Sequence, residues 1–271
     1  MAEPDHIDAI VLPSGRRLEA RVHRPAPGSP DLRTAVIQVH GGGWRIGSPV
    51  MLARRSDALA RRGFTAIAVA YRLLDEAPWP AALQDVRSAV RWVRANAERL
   101  GVDPERIVLQ GHSAGGHLAL LAAGGQDDTV AGDAYHPEIA ATVAAVAAFY
   151  PPTDLRGGGE RLLGTGHRAE EAAAASPITR VHGGFPPTLL VHGLADTMVA
   201  PASSEAMHRA LLDAGATSEL HLFAGQIHEF DAAVSMCELT QELAANFVAR
   251  HLIDPARFEA EQAADNPLWP R

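Results

Sequence analysis

Residues 106–123, RIVLQGHSAGGHLALLAA, constrain the fold more than any other part of the chain. A run apolar enough for a buried strand passes through Gly111-His112-Ser113-Ala114-Gly115 directly into an Ala- and Leu-rich helical pattern. In that setting Gly-x-Ser-x-Gly is a sharp strand-to-helix turn, which strains the serine backbone and exposes its hydroxyl. Glycines are needed on both sides because a Cβ there would collide with neighbouring backbone. The helix that starts at once also aims its free N–H groups at whatever reacts there. A bare Gly-x-Ser-x-Gly arises by chance. Its position between these two patterns is what makes Ser113 a candidate nucleophile.

The rest of the chain repeats the same alternation. Segments 6–12 and 18–24 flank Pro13-Ser14-Gly15 as an opening hairpin, and strands follow at 34–40, 64–71, 106–110, 143–150, 187–192 and 218–223. Helical patterns fill 51–62, 80–100, the run after Ser113, 203–214 and 232–251, and 254–271 reads as a polar surface tail. Strands alternating with helices predict an α/β fold, a mostly parallel central sheet flanked by helices. A length of 271 residues suits a single domain over 1–271, with a small cap insertion at 154–184.

Composition closes off other classes. Hydrophobic residues at 47% supply a substantial core, and a net charge of −8 leaves no footprint for nucleic acid or an anionic membrane. The opening MAEPDHIDAIVLPSG has acidic residues where a signal peptide carries Lys or Arg, and no apolar run is long enough for a membrane span. A cytoplasmic protein is therefore expected. The lone Cys237 excludes an intrachain disulfide and reads as a small buried hydrophobe. None of the 13 histidines is paired with another at helical spacing and there is no cysteine cluster, so no metal site is expected.

A second glycine motif, His40-Gly41-Gly42-Gly43-Trp44, follows the strand at 34–40. Acyl transfer builds negative charge on a carbonyl oxygen, which needs pre-positioned N–H donors. The N–H groups of Gly42, Gly43 and Ala114 are assigned that role. No phosphate-loop pattern surrounds the glycines, and His40 is read as a structural hydrogen-bonder. An acid and a base must follow the serine in that order. Asp196 and His228 each lie just past the end of a late strand, the edge where open α/β sheets build their sites. His228 would take the Ser113 proton, and Asp196 would hold the imidazole tautomer. Asp154 is the second choice for the acid. Asp213 and Asp231 are read as solvated surface charges or caps, His192 as a packed core histidine, and His117 as a support for the serine turn. Trp44, Tyr71 and Trp79 are assigned to the substrate pocket.

With HGGGW, YRLLDEAPWPAALQDVRSAVRWV, VDPERIVLQGHSAGGHLALLAA, HGLADTMV and GQIHEF together, the chain resembles the hormone-sensitive-lipase-like carboxylesterases of the α/β-hydrolase superfamily over roughly residues 34–252. That resemblance implies cofactor-free hydrolysis of small carboxylic esters through an acyl-enzyme on Ser113, and a structural role for Asp85. Two departures stand out. The segment before residue 34 is short for the family's usual N-terminal cap, and Asp75-Glu76-Ala77 replaces a common proline-glutamate-histidine text. Other readings stay open: an arylformamidase of the kynurenine-formamidase kind, a peptidase, a biosynthetic acyl-transfer or lactone enzyme, and a non-catalytic small-molecule receptor. Against the formamidase stands Gly43, where those enzymes carry an aromatic pair after HGG. A homodimer is compatible with all of them.

Overall fold

The computed structural model describes residues 3–125, 133–266 and 268. The first two strands, β1 (His6–Val11) and β2 (Arg17–His23), form the expected antiparallel hairpin. After them run β3 (Ala35–Val39), α1 (Ala53–Ala60), β4 (Thr65–Val69), α2 (Ala81–Ala95), α3 (Ala97–Leu100), β5 (Ile107–His112) and α4 (Ala114–Ala123). Strand β6 (Ala145–Phe149) is followed by the 154–184 insertion, which holds two short helices, α5 (Glu160–Leu163) and α6 (Ala169–Ala174). The chain then continues through β7 (Thr188–Gly193), α7 (Ala202–Asp213), β8 (Ser218–Phe223), α8 (Val234–Val248) and α9 (Pro255–Asp265).

The strands form an eight-stranded sheet in the order β1-β2-β4-β3-β5-β6-β7-β8, with every pair from β4 to β8 parallel. Strands β3 to β7 are buried along their whole length because helices cover both faces. Successive side chains therefore enter different cores. Ile37, Ile67 and Leu109 pack with Val86, Val90 and Leu118 of α2 and α4. Val36, Ala66 and Val108 pack with Leu59 and Phe247 of α1 and α8. Gln38 and Gln110 fall on these central strands and are satisfied in a row: Ser56 Oγ donates to Gln38 Oε1 at 2.5 Å, Gln38 Nε2 to Gln110 Oε1 at 2.5 Å, and Gln110 Nε2 to Gln241 Oε1 at 2.8 Å.

Two elements depart from the sequence reading by more than a shift of their ends. The helix expected over 80–100 divides at Asn96, whose Nδ2 donates to the Trp92 carbonyl at 2.8 Å and competes with the backbone ladder. Within the expected polar tail, 255–265 is an exposed helix, started by Asp254 Oδ1 accepting from the Arg257 N–H. Residues 267 and 269–271 of that tail lie outside the described residues. Among the described residues no helix is long and apolar enough to cross a membrane, and no three His, Cys, Asp or Glu side chains are grouped to hold a metal ion.

The sheet order also creates the crevice. From β3 the chain first adds β4 on one side and later β5 on the other, so the loops leaving β3 and β5 diverge at a topological switch point. At that point α4 packs directly on β3. A Cβ built on Gly115 would sit far inside contact distance of the Val39 carbonyl oxygen, and one on Gly111 would strike the Gly115 carbonyl oxygen. Neither obstacle is a side chain that can swing away. Gly115→Ala is therefore expected to destabilise the protein by about 2 kcal/mol or more, seen as a lowered denaturation midpoint. An unchanged midpoint would mean that the helix can withdraw from the strand without loss.

Candidate active site

Ser113 caps the N-terminus of α4 at φ 53° and ψ −118°, a backbone region that costs about 1–3 kcal/mol for a residue with a side chain. Its N–H donates to the Phe149 carbonyl at 2.9 Å, which locks the turn to β6. His228 arrives on the loop after β8, and its Nε2 lies 2.8 Å from Ser113 Oγ. Its Nδ1 lies 2.6 Å from Asp196 Oδ2, on the loop after β7. Because an ionised carboxylate only accepts, the Nδ1 proton faces Asp196 and Nε2 is left to accept from the serine hydroxyl. Burial pulls the Asp196 carboxyl upward, but the Val199 and Met198 N–H groups and His228 outweigh it and hold the group below the ordinary carboxylate range. Those two N–H groups donate to Oδ1 at 3.0 and 2.8 Å, leaving Oδ2 to face ring nitrogens of His228 and His192.

His192 belongs to this assembly more closely than a packed core histidine would. Its Nδ1 lies 2.7 Å from Ser204 Oγ, and its Nε2 faces the Val199 carbonyl at 3.0 Å and Asp196 Oδ2 at 3.2 Å. Burial lowers its pKa, so it acts as a neutral donor to the acid. Asp154, the alternative acid, is committed instead to Arg156 at 2.6 and 2.8 Å, and that ion pair brings its pKa down to about 2.

Among the described residues, the N–H groups of Gly42, Gly43 and Ala114 donate to no protein acceptor. All three residues line a cavity of about 410 Å³ together with Ser113, His228 and Trp44. Tyr71 and Trp79 do not line it. The buried Tyr71 hydroxyl donates to the His40 carbonyl at 3.0 Å and its ring stacks on His40, so Tyr71 props the glycine loop from behind. Trp79 packs toward His117 with the core. His40 keeps the structural role expected of it: its Nδ1 faces the Gly41 carbonyl at 2.8 Å, and burial lowers its pKa to about 4. Ile46, Met51, Leu155, Met198, Val199, Arg161 and Glu229 are further parts of the wall. Apart from Met51, at the start of the helical pattern 51–62, they sit on loops and the short α5, where no periodicity in the sequence could mark them.

Asp231 is not a solvated charge or cap. It is wholly buried and receives Arg55 on both oxygens, at 2.8 and 2.9 Å. The Tyr150 hydroxyl donates to Oδ1 at 2.5 Å, and His112 Nδ1 lies 3.1 Å from Oδ2. Burial opposes the charge on Asp231, yet His112 and Arg55 together hold its carboxyl well below the usual range. Burial and Arg55 both lower the His112 pKa, so the imidazole contributes a hydrogen bond and Arg55 contributes the charge. Three of the four members adjoin the site: His112 precedes Ser113, the Tyr150 ring lies 4.7 Å from the His228 ring, and Asp231 is three residues beyond His228.

Sheet order, the serine on its strand-to-helix turn and the crevice beside it define an α/β hydrolase. Residues 22–211 match the BD-FAE family model, and the chain belongs to that family, among the hormone-sensitive-lipase-like members of the fold. It is 32% identical to esterase LipQ of Mycobacterium tuberculosis over 240 residues, which cover 83% of this chain and 57% of LipQ. It is 30% identical to ethyl acetate hydrolase of Pseudomonas putida, covering 89% of this chain and 80% of that protein. The propionate-bound structure of a thermophilic esterase from Thermogutta terrifontis superposes with a TM-score of 0.78 at 32% identity, covering 90% of this chain and 93% of the other.

Removing one member of a buried ion pair leaves the other charge uncompensated, at a cost of about 3–5 kcal/mol. Asp231→Ala is expected to lose stability of that order in chemical denaturation and to lower kcat through the displaced Tyr150 and His112. A loss below about 1 kcal/mol would mean that water replaces the carboxylate and that the cluster does not hold the loops together.

Proposed function

We propose that the protein is a serine carboxylic-ester hydrolase of short-acyl or aryl esters, with Ser113, His228 and Asp196 as its catalytic triad. The observation that carries this reading is the unbroken line from Ser113 Oγ through His228 to the Asp196 carboxylate, at 2.8 and 2.6 Å, opening on a cavity lined by free backbone N–H groups. As Ser113 Oγ attacks the ester carbonyl, its proton passes to His228 Nε2, and Asp196 stabilises the resulting imidazolium. The carbonyl oxygen takes the negative charge and is met by the N–H groups of Gly42, Gly43 and Ala114. Collapse of this intermediate expels the alcohol, which leaves with the proton from Nε2. Water, deprotonated by the same nitrogen, then attacks the acyl-serine, and as the acyl–oxygen bond breaks Nε2 returns the proton to Ser113 Oγ and the acid is released. The 154–184 insertion serves as a partial cap, contributing Leu155, Gly159 and Arg161 to the wall.

Ser113→Ala is expected to abolish turnover in a folded protein, and an organophosphate should leave one adduct, on Ser113, by mass spectrometry. His228→Ala should lose several orders of magnitude in kcat. An adduct on a different serine would overturn the assignment.

The cavity also sets a size limit. Each methylene taken from water is worth about 0.8 kcal/mol, but only while there is apolar wall to cover it. In a space of about 410 Å³, also open to the charged Arg161 and Glu229, a few carbons exhaust that wall. On p-nitrophenyl esters kcat/KM is expected to peak between acetate and butyrate and to fall steeply by octanoate. A profile still rising at decanoate would require an apolar tunnel that these residues do not form.

A further inference from the structure

One cation in the cavity wall has no role in the steps above. Arg161 is the second residue of α5 and is solvent-exposed, while the next residue, Leu162, is buried in the main core. Its carbonyl accepts from the Arg45 guanidinium at 3.3 Å, which ties α5 to the loop just beyond the glycine run. Its guanidinium lies over Gly43: a Cβ built there would be 2.5 Å from Arg161 Cζ, so the arginine occupies the room that a side chain at 43 would take.

Among the described residues, no carboxylate oxygen lies within 4.0 Å of this guanidinium. Arg156, five positions earlier, is by contrast neutralised by Asp154 at 2.6 Å. Glu229 shares the cavity but stands elsewhere in it. Its Oε1 lies 3.2 Å from where a Gly41 Cβ would be, beside Ser113. The neighbouring wall of Trp44, Ile46, Leu155 and Met198 offers no other partner for a charge.

We infer that Arg161 recognises a second, anionic group on the ester, so that the site selects esters carrying a carboxylate a few atoms from the scissile carbonyl. This rests on the reading of Ser113 as nucleophile and adds a substrate class to it. A guanidinium presents its donors as a planar fork that a carboxylate matches with two parallel bonds. Set over Gly43, beside the N–H groups that would hold the carbonyl oxygen, it fixes where the anion lies. The Glu229 side of the cavity repels the same group, so both charges favour one orientation of the substrate.

The test compares kcat/KM within two pairs of esters matched in size. For charge on the acyl side the pair is 4-nitrophenyl hydrogen glutarate and 4-nitrophenyl pentanoate; for the alcohol side it is 3-acetoxybenzoate and 3-acetoxybenzamide. The wild-type protein is expected to prefer the anionic member of at least one pair by about tenfold, the scale of one charge-assisted hydrogen bond at an accessible site. Arg161→Gln should erase that preference, and Arg161→Lys should keep part of it. Indifference to the charge in both pairs, or a preference that survives Arg161→Gln, would overturn the inference. Hydrolysis of the neutral members by the wild type, and its loss in Ser113→Ala, reports separately on the nucleophile.

Discussion

A non-glycine residue held at positive φ, at the crossing from β5 into α4, is the constraint around which this molecule is arranged. The strain is tolerable only because its surroundings allow no relaxed alternative. Glycines at 111 and 115 bring strand and helix backbones into contact, and the Ser113 N–H is tied to β6. The parallel sheet supplies the other half of the arrangement. Because β3, β5, β7 and β8 run the same way, the loops bearing the glycines, Ser113, Asp196 and His228 all emerge at one edge.

Beneath that edge lies a polar layer that ties the loops together. Asp231, Arg55, Tyr150 and His112 join α1, the end of β5, the residue after β6 and the turn after His228. Beside it, His192 and Ser204 join β7 to α7, and His192 Nε2 meets the same Asp196 oxygen that His228 does. Buried charges gain little net stability over well-packed apolar groups. What they add here is a side-chain brace beneath loops otherwise joined by a few backbone hydrogen bonds, such as Ala195 N–H to the Gln226 carbonyl at 2.9 Å, where a small misplacement of reacting groups is costly in rate.

The motif residues were legible because their chemistry is local. A strand-to-helix serine turn, a glycine run after a strand, and an aspartate and a histidine after later strands each announce themselves within a few residues. Asp231 carried no such mark. It follows His228 in GQIHEFDAA, and its partners stand 176, 119 and 81 positions away in Arg55, His112 and Tyr150, so only the folded chain shows the charge to be buried. Tyr71 and Trp79 erred in the opposite direction. These two aromatic residues were read as pocket wall, whereas one hydrogen-bonds to the back of the His40 loop and the other joins the core.

From its sequence alone the protein determined its fold class, the strand order of its motifs and the residue types available for acyl transfer, since periodicity and turn chemistry are properties of neighbouring residues. Only the tertiary structure decided which side chains surround Ser113. Arg161 faces Gly43 across 118 positions of chain, and Glu229 stands beside Gly41 across 188. Charge and shape in a cavity are sums over segments far apart in the chain. They exist only once the sheet has brought its loops to a single edge.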